Sequence, residues 1–378
     1  MTRPRTDARA PTRLLGLALL LFGAVPAREL GAAAEAGAQT LSHETVAASH
    51  PAFRYLGRFD GAAADARQVV WQSSTVEVGF EGAHLAFLFS GAEKQAYFRA
   101  EVDGVDQVFR VPEGDLVRVA WSGPLGPGPH ALRLTKRSEA TAGTAWFRGI
   151  EIAPGASVRP PVPAAASLHL LFLGDSITAG ACNEDGASDQ WDDRRTHNAL
   201  LSYAALTAAS LGADLENISV SGMGIAAGYV EFTAADVWDR VRPAKDAPKA
   251  DLGSFEPDIV FFNFGENDAS FTRGRGTPFP GDFVARYEAL VSSVRRQFPK
   301  AELVVLRGGM GGGATDPRLI AAWSEVVRQV EAADPRAAHY VFGHWTKLHP
   351  RVADDRAMAG ELSAWLRAQP FVGASPRH

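Results

Sequence analysis

Cysteine is nearly absent: Cys182 is the single one in 378 residues. A lone thiol cannot close an intrachain disulfide or build a cysteine metal cluster, so hydrophobic cores have to hold the chain. Basic tracts are missing as well. The net charge is −5 and no run of five or six basic residues interleaves with aromatics, which leaves a nucleic-acid partner without an electrostatic footprint. There is no His-Glu-x-x-His segment, and the glycine run over 307–313 lacks the Gly-Lys-Ser/Thr ending of a phosphate loop and reads as a flexible turn. Neither a metal nor an organic cofactor is expected. The apolar stretch over 14–25 is too short to cross a bilayer. It follows Arg3, Arg5, Arg9 and Arg13 and precedes Val25-Pro26-Ala27 and an Ala-rich segment, so residues 1–38 read as a signal peptide and its exit. The expected location is secreted or periplasmic, by the general route because this region has no Arg-Arg pair, with no stable membrane insertion after cleavage.

What is present divides by periodicity. Over 42–153 short alternating runs recur, at 68–71, 75–80, 84–89, 96–102, 107–111, 116–121, 130–135 and 145–152, with turn pairs such as Asp103-Gly104 and Glu113-Gly114 between them. That spacing predicts an all-β sandwich or jelly roll. Residues 154–166 hold four prolines and four alanines and read as a stiff linker. Over 167–372 the pattern alternates, with strands at 168–173, 214–220, 258–263 and 301–306 and helices at 200–211, 281–298, 316–333 and 354–368. Such alternation predicts a parallel sheet covered on both faces, an α/β three-layer domain whose site lies outside the carboxyl ends of the strands.

Four segments fall at those ends. Gly174-Asp175-Ser176 leaves a buried strand into a turn, where a serine hydroxyl and its own N–H face one crevice. An isolated Asp-Ser pair reads by default as a helix cap. Gly222, in Ser221-Gly222-Met223-Gly224, supplies either a backbone N–H for an oxyanion or merely a positive φ. Asn267, in Gly265-Glu266-Asn267-Asp268, is an uncharged amide donor or a turn former. His349, in Leu348-His349-Pro350, has the residue type of a general base near neutral pH.

Together, in this order, the four segments resemble the SGNH, or GDSL-type, hydrolases. The resemblance implies Ser176 as nucleophile, His349 as base, and an oxyanion hole made by the N–H of Ser176, Gly222 and Asn267. Val102-Asp103-Gly104, the segment 128–136 and Ala145-Trp146-Phe147-Arg148-Gly149-Ile150 look like the front domain of carbohydrate esterase family 2. That narrower likeness covers about 42–370. It implies a jelly-roll sandwich ahead of an SGNH domain and an acetylated plant polysaccharide as substrate, with the sandwich walling the cleft. One position departs: many SGNH enzymes carry Asp three residues before the histidine, where this chain has Thr346. A Ser-His dyad with the histidine held by a main-chain carbonyl is therefore expected, as in some family 2 members, and a remote carboxylate is the alternative. Trp345, Trp191 and Asp175 are the candidate substrate contacts, with Trp238 near the site. Asp189, Asp192 and Asp193 read as a solvated acidic loop or as hydroxyl contacts. Two other functions stay open: a lipase, thioesterase or arylesterase of the same superfamily, and a carbohydrate-binding protein without turnover.

Overall fold

Alternation along the front strands sorts side chains between solvent and one shared core. In Tyr97–Val102 the residues Phe98, Ala100 and Val102 are buried and those between them are half-exposed. The computed structural model describes residues 43–373, apart from residue 62 and residues 163–167. The expected signal segment 1–38 and the end of the Pro/Ala linker lie outside the described residues.

The front region contains β1 (Glu44–Ala47), β2 (Arg54–Leu56), β3 (Phe59–Asp60), β4 (Arg67–Val69), β5 (Thr75–Glu81) and β6 (Leu85–Lys94). It continues with β7 (Tyr97–Val102), β8 (Val105–Arg110), β9 (Val117–Ala120), β10 (Pro129–Lys136), β11 (Gly143–Ile152) and β12 (Val158–Arg159). One antiparallel sheet runs β3-β4-β11-β6-β9 with β1 on β11, and the other runs β12-β5-β10-β7-β8 with β2 on β5. Phe87, Phe89 and Phe147 of the first sheet meet Phe80, Phe98 and Leu134 of the second in a single core. Val158–Arg159, inside the stretch read as a linker, pairs with β5 instead.

The second region builds a five-stranded parallel sheet from β13 (His169–Gly174), β14 (Asp214–Ser219), β15 (Ile259–Asn263), β16 (Glu302–Met310) and β17 (Ala337–Thr346), ordered β14-β13-β15-β16-β17. Its helices are α1 (Ser176–Ala179), α2 (Tyr203–Leu211), α3 (Ala234–Val237), α4 (Glu266–Arg275), α5 (Phe283–Gln297), α6 (Gly311–Thr315), α7 (Pro317–Ala333), α8 (Val352–Arg367) and α9 (Pro370–Gly373). Alternate residues of each strand serve opposite faces. Leu171, Leu173, Val260 and Phe262 pack with Tyr287 and Trp323 of α5 and α7, whereas Leu170, Phe172, Ile259 and Phe261 pack with Tyr203, Met358 and Leu362 of α2 and α8.

Three departures from the sequence reading have local causes. Strand β17 was not expected, because it is an edge strand whose side chains are mostly half-exposed and form no continuous apolar run. Helix α4 was not expected either, its sequence being polar. The glycine run is not a flexible turn: β16 extends through Met310, α6 follows, and the Gly312 and Gly313 N–H groups donate to the Glu266 carboxylate at 3.0 and 2.8 Å.

The sandwich and the α/β layer share buried contacts. Val70, Trp71 and Ala140 join the core on one face of the parallel sheet. Arg58, nearly fully buried, pairs with Glu216 at 2.9 Å and also donates to the Trp238 carbonyl. A buried charge of this kind is tolerated only when its partner and hydrogen bonds are in place, so the pair fixes how the two layers meet. Gln72 adds a bridge to Ser219 at the end of β14.

Candidate active site

The turn from β13 into α1 depends on Gly174, where an added Cβ would lie 2.1 Å from Thr178 Oγ1. Asp175 caps α1, accepting from the Ile177 N–H at 3.0 Å, and Ser176 occupies the first helical position. An N–H at that position has no helical acceptor, and the Ser176 N–H has no acceptor among the described residues. The expectation that Asp175 contacts substrate is corrected here. Its side chain has no exposed surface and faces inward between the Ile177 N–H and the Asn267 amide. Burial pushes its carboxyl up to about 8 against the Ile177 hydrogen bond, with the charges of Glu266 and Asp268 adding to the rise.

His349 stands between β17 and α8, and its Nε2 lies 2.8 Å from Ser176 Oγ. Its Nδ1 lies 2.7 Å from Asp189 Oδ2, 160 positions earlier in the chain. A carboxylate on Nδ1 sets the tautomer: Nδ1–H donates to Asp189 and Nε2 accepts the Ser176 hydroxyl proton. The dyad expectation is thereby corrected, since a carboxylate rather than a main-chain carbonyl holds the ring. Thr346, at the place of the usual Asp, instead closes the local turn by donating its hydroxyl to the Leu348 carbonyl.

Asp189 also accepts from a charged donor, Arg351 Nη1 at 2.8 Å on Oδ1. Burial raises its pKa, but the hydrogen bonds from His349 and Arg351 outweigh that and hold it below the usual carboxylate range. Sequence reasoning missed Arg351 altogether and read Asp189 as part of a solvated acidic loop or as a hydroxyl contact, not as the partner of His349. No local spacing ties residue 189 to residue 349. The one available signal was topological, because the loop after β13 and the loop after β17 both open at the carboxyl edge of the sheet.

Gly222 has φ +84°, and its N–H has no acceptor among the described residues. Beyond it, the Asp268 carboxylate accepts the N–H groups of Ile225, Ala226 and Ala227 at 2.7 to 3.0 Å and so shapes the loop. Asn267 is buried at the start of α4, and its Nδ2 donates to the Met223 carbonyl at 3.0 Å and to Asp175 Oδ2 at 3.2 Å.

Of the aromatic candidates, Trp191 lies edge-on to the His349 ring with centroids 5.2 Å apart and is 39% exposed. Trp345, at the end of β17, is 41% exposed. Trp238 does not border the site: it is buried in the core against Phe298. The loop around Trp191 is pinned rather than freely solvated. The Asp192 carbonyl accepts from Gln95 of the sandwich at 2.6 Å, and the Asp193 side chain caps a short turn through the Arg195 N–H. Cys182 is buried nearby, and burial together with Asp189 and Asp185 pushes its thiol far up. It lies within 4.8 Å of two Asp–His pairs, and a thiol so strongly held as the neutral form is a poor nucleophile.

Comparison with known proteins follows the two layers. Residues 55–161 match the carbohydrate esterase 2 N-terminal domain, and residues 172–365, about half the chain, match the GDSL-like lipase/acylhydrolase family. The cellulase/esterase CelE of Acetivibrio thermocellus is 29% identical over 329 residues, covering 84% of this chain, which spans only 39% of that protein. An acetylxylan esterase / glucomannan deacetylase of Cellvibrio japonicus is 24% identical over 317 residues, covering 80% of this chain and 86% of the relative. Among solved structures, a family two carbohydrate esterase from Clostridium thermocellum in complex with cellohexaose superposes with a TM-score of 0.73 at 28% identity, over 83% of this chain and 98% of that one. A Cellvibrio japonicus family two carbohydrate esterase shares the fold, with a TM-score of 0.77 at 21% identity over 88% and 98%. With both layers matched along their length, the chain belongs to the GDSL-like lipase/acylhydrolase family, in the branch that carries the N-terminal domain of carbohydrate esterase family 2.

Proposed function

We propose that this protein is a secreted serine esterase that removes O-acetyl groups from plant polysaccharides such as xylan and glucomannan, or from their oligosaccharides. The observation that carries the reading is the continuous hydrogen-bonded chain from Ser176 Oγ through His349 to Asp189, at 2.8 and 2.7 Å. A carbohydrate-binding protein without turnover has no use for such a chain. The basic and apolar N-terminal segment supports export, and no helix among the described residues is long and apolar enough to cross a membrane.

In the first step Ser176 Oγ attacks the acetyl carbonyl carbon while His349 Nε2 takes the hydroxyl proton. Asp189, kept ionised by Arg351, stabilises the imidazolium that forms. The oxyanion is received by the free N–H groups of Ser176 and Gly222. Asn267 joins them by releasing the longer of its two bonds, the one to Asp175. As the tetrahedral adduct collapses, Nε2 returns the proton to the departing sugar oxygen and acetyl-Ser176 remains. Water then attacks with its proton going to Nε2, and acetate leaves as Ser176 recovers its hydrogen. Trp191, edge-on to the His349 ring, and Trp345, at the end of the strand that leads to His349, offer exposed ring surface suited to an apolar sugar face. The acetyl assignment draws on the names of the relatives, whose substrates are acetylated xylan and glucomannan.

The test is acetate release from acetylated xylan, acetylated glucomannan and an aryl acetate, wild type beside Ser176→Ala. Release by the wild type alone is expected. A wild-type preference for long-chain aryl esters over acetates would replace the assignment with the lipase reading, and release from none of these substrates would end it.

A further inference from the structure

The turn joining β10 to β11 belongs to the sandwich, yet its acidic side chain reaches into the site of the other layer. Glu139 is 2% exposed. Its Oε2 accepts both the hydroxyl and the backbone N–H of Ser221, the latter at 3.3 Å. Ser221 immediately precedes Gly222. Clamping the N–H and the side chain of Ser221 at once fixes the frame of its Cα, and the Met223 N–H donating to the Val220 carbonyl at 3.1 Å closes the turn beyond it, so the peptide plane that carries the Gly222 N–H is held from both ends. The other oxygen, Oε1, accepts from Thr141 at 2.7 Å and lies 3.7 Å from Arg194 Nη1. The Arg194 guanidinium sits 4.9 Å from the Trp191 ring centroid, and Trp191 lies edge-on to His349.

The turn is itself anchored. Lys136, fully buried, donates from Nζ to the carbonyls of Ser138 and Glu139 at 2.7 and 3.1 Å, and the Ala140 N–H donates to Gln72, which grips Ser219. One carboxylate thus touches a residue from each half of the site: Ser221 beside the oxyanion donor, and Arg194 behind the ring that faces the base. Its neighbours do not require it for packing, since Ser221 and Arg194 are both partly solvent-accessible. An unpaired acid at such a depth would be costly, which makes its arrangement with three partners a specific one.

We propose that Glu139 is a positioning residue for ester cleavage, aiming the Gly222 N–H through Ser221 and steadying the His349 ring through Arg194 and Trp191. The inference rests on the esterase reading above. Catalytic geometry tolerates displacements of only about 0.5 Å, so loss of the clamp acts on the transition state rather than on substrate binding. The function assigned to the sandwich changes accordingly: it supplies a fixed point for the oxyanion hole as well as a wall.

Steady-state kinetics on an aryl acetate distinguish this role from a merely structural one, with wild-type turnover first establishing the esterase reading independently. Glu139→Ala is expected to lower kcat by about 10- to 100-fold, the scale of a small misplacement, with KM within about twofold. Ser221→Ala is expected to lower kcat by a part of that loss, and the double variant by no more than Glu139→Ala alone, because both act on one peptide. Glu139→Gln keeps an acceptor for Ser221 and is expected to recover most of the rate. Losses that multiply in the double variant, or a kcat unchanged in a folded Glu139→Ala, would overturn the proposal. Should Glu139→Ala fail to fold, Ser221→Ala decides: it leaves the turn and its anchors intact, and an unchanged kcat would sink the idea.

Discussion

The two ends of the Ser176–His349–Asp189 chain are built by different means. Ser176 stands on a strand-to-helix junction whose backbone is dictated by the parallel sheet and by a glycine with no room for a side chain. Asp189 and His349 stand on loops, and side-chain pairing holds them: to each other, to Arg351, and through the neighbouring loop to Gln95 of the sandwich. On the proposed esterase reading, the nucleophile end is therefore specified locally and the acid–base end by distant residues. Rigidity at the first comes with the fold, whereas at the second it depends on a few hydrogen bonds that single substitutions can remove.

Breaking the acid–base end gives the largest expected effect. Asp189→Ala leaves His349 without its Nδ1 acceptor and free to take the other tautomer, and kcat on an aryl acetate is expected to fall by about 10³–10⁴ with little change in KM. A loss below tenfold would mean that the ring is held by something other than Asp189, as in a dyad, and the contrast between the two ends would fail. At the nucleophile end, Asn267→Ala is expected to cost about 10²–10³ in kcat, as for removal of one oxyanion donor. A much smaller loss would show that the amide stays on Asp175 and Met223 throughout the reaction and that two backbone N–H groups do the work.

The same contrast explains what the sequence revealed. Ser176, Gly222 and Asn267 each follow a legible strand end within a few residues and His349 stands just before the last long helix, so periodicity and short motifs sufficed to single them out. The buried strands β13 and β15 and the alternating strand β7 were legible for the same reason, because burial on two faces or on one leaves a direct trace in the residue pattern. The partnership of Asp189 with His349 leaves none: it arises only when the chain closes a loop across 160 positions. Asp175 misled in the opposite direction. A carboxylate beside the nucleophile reads as a substrate contact, but the cap it forms turns it inward. Strand β17 and helix α4 were hidden by half-exposed, polar sequences in which tertiary pairing overrides local preference.

Two of the carboxyls buried in the α/β layer are Asp355 and Asp175. Asp355, in the first turn of α8, accepts from the Tyr203 N–H and from Asn183, and burial pushes it up to about 8 in spite of those bonds. Asp175 is raised to about the same value. The folded protein keeps these protons to about pH 8, while the unfolded chain releases them near pH 4, so the folded state binds more protons in that window and stability falls as pH rises through it. Each group contributes a slope of up to about 1.4 kcal/mol per pH unit. Lys136 of the sandwich works in the opposite sense. Burial brings it down to about 7, so between there and its ordinary value the unfolded chain holds the extra proton and stability rises with pH. The thermal midpoint is expected to decline from pH 5 to about 8, more gently above 7, where Lys136 opposes one of the two carboxyls. Asp355→Asn is expected to flatten the acidic limb, and an unchanged profile in that variant would show that Asp355 is ionised in the folded protein.

The smallest expected effects separate the two exposed tryptophans. Trp345 has ring surface to offer a sugar but does not stack on the His349 ring, so Trp345→Ala is expected to raise KM for an acetylated oligosaccharide by about two- to tenfold, on the scale of one aromatic stacking contact, and to leave aryl acetate turnover unchanged. Trp191 touches the base directly, and Trp191→Ala is expected to lower kcat on both substrates by several-fold while adding a rise in KM on the oligosaccharide. If the two variants lose activity in the same pattern, Trp191 acts on substrate alone and the acid–base end does not need its ring. If only Trp191→Ala slows the aryl acetate, the loop end of the site depends on packing that the strand-built end does without.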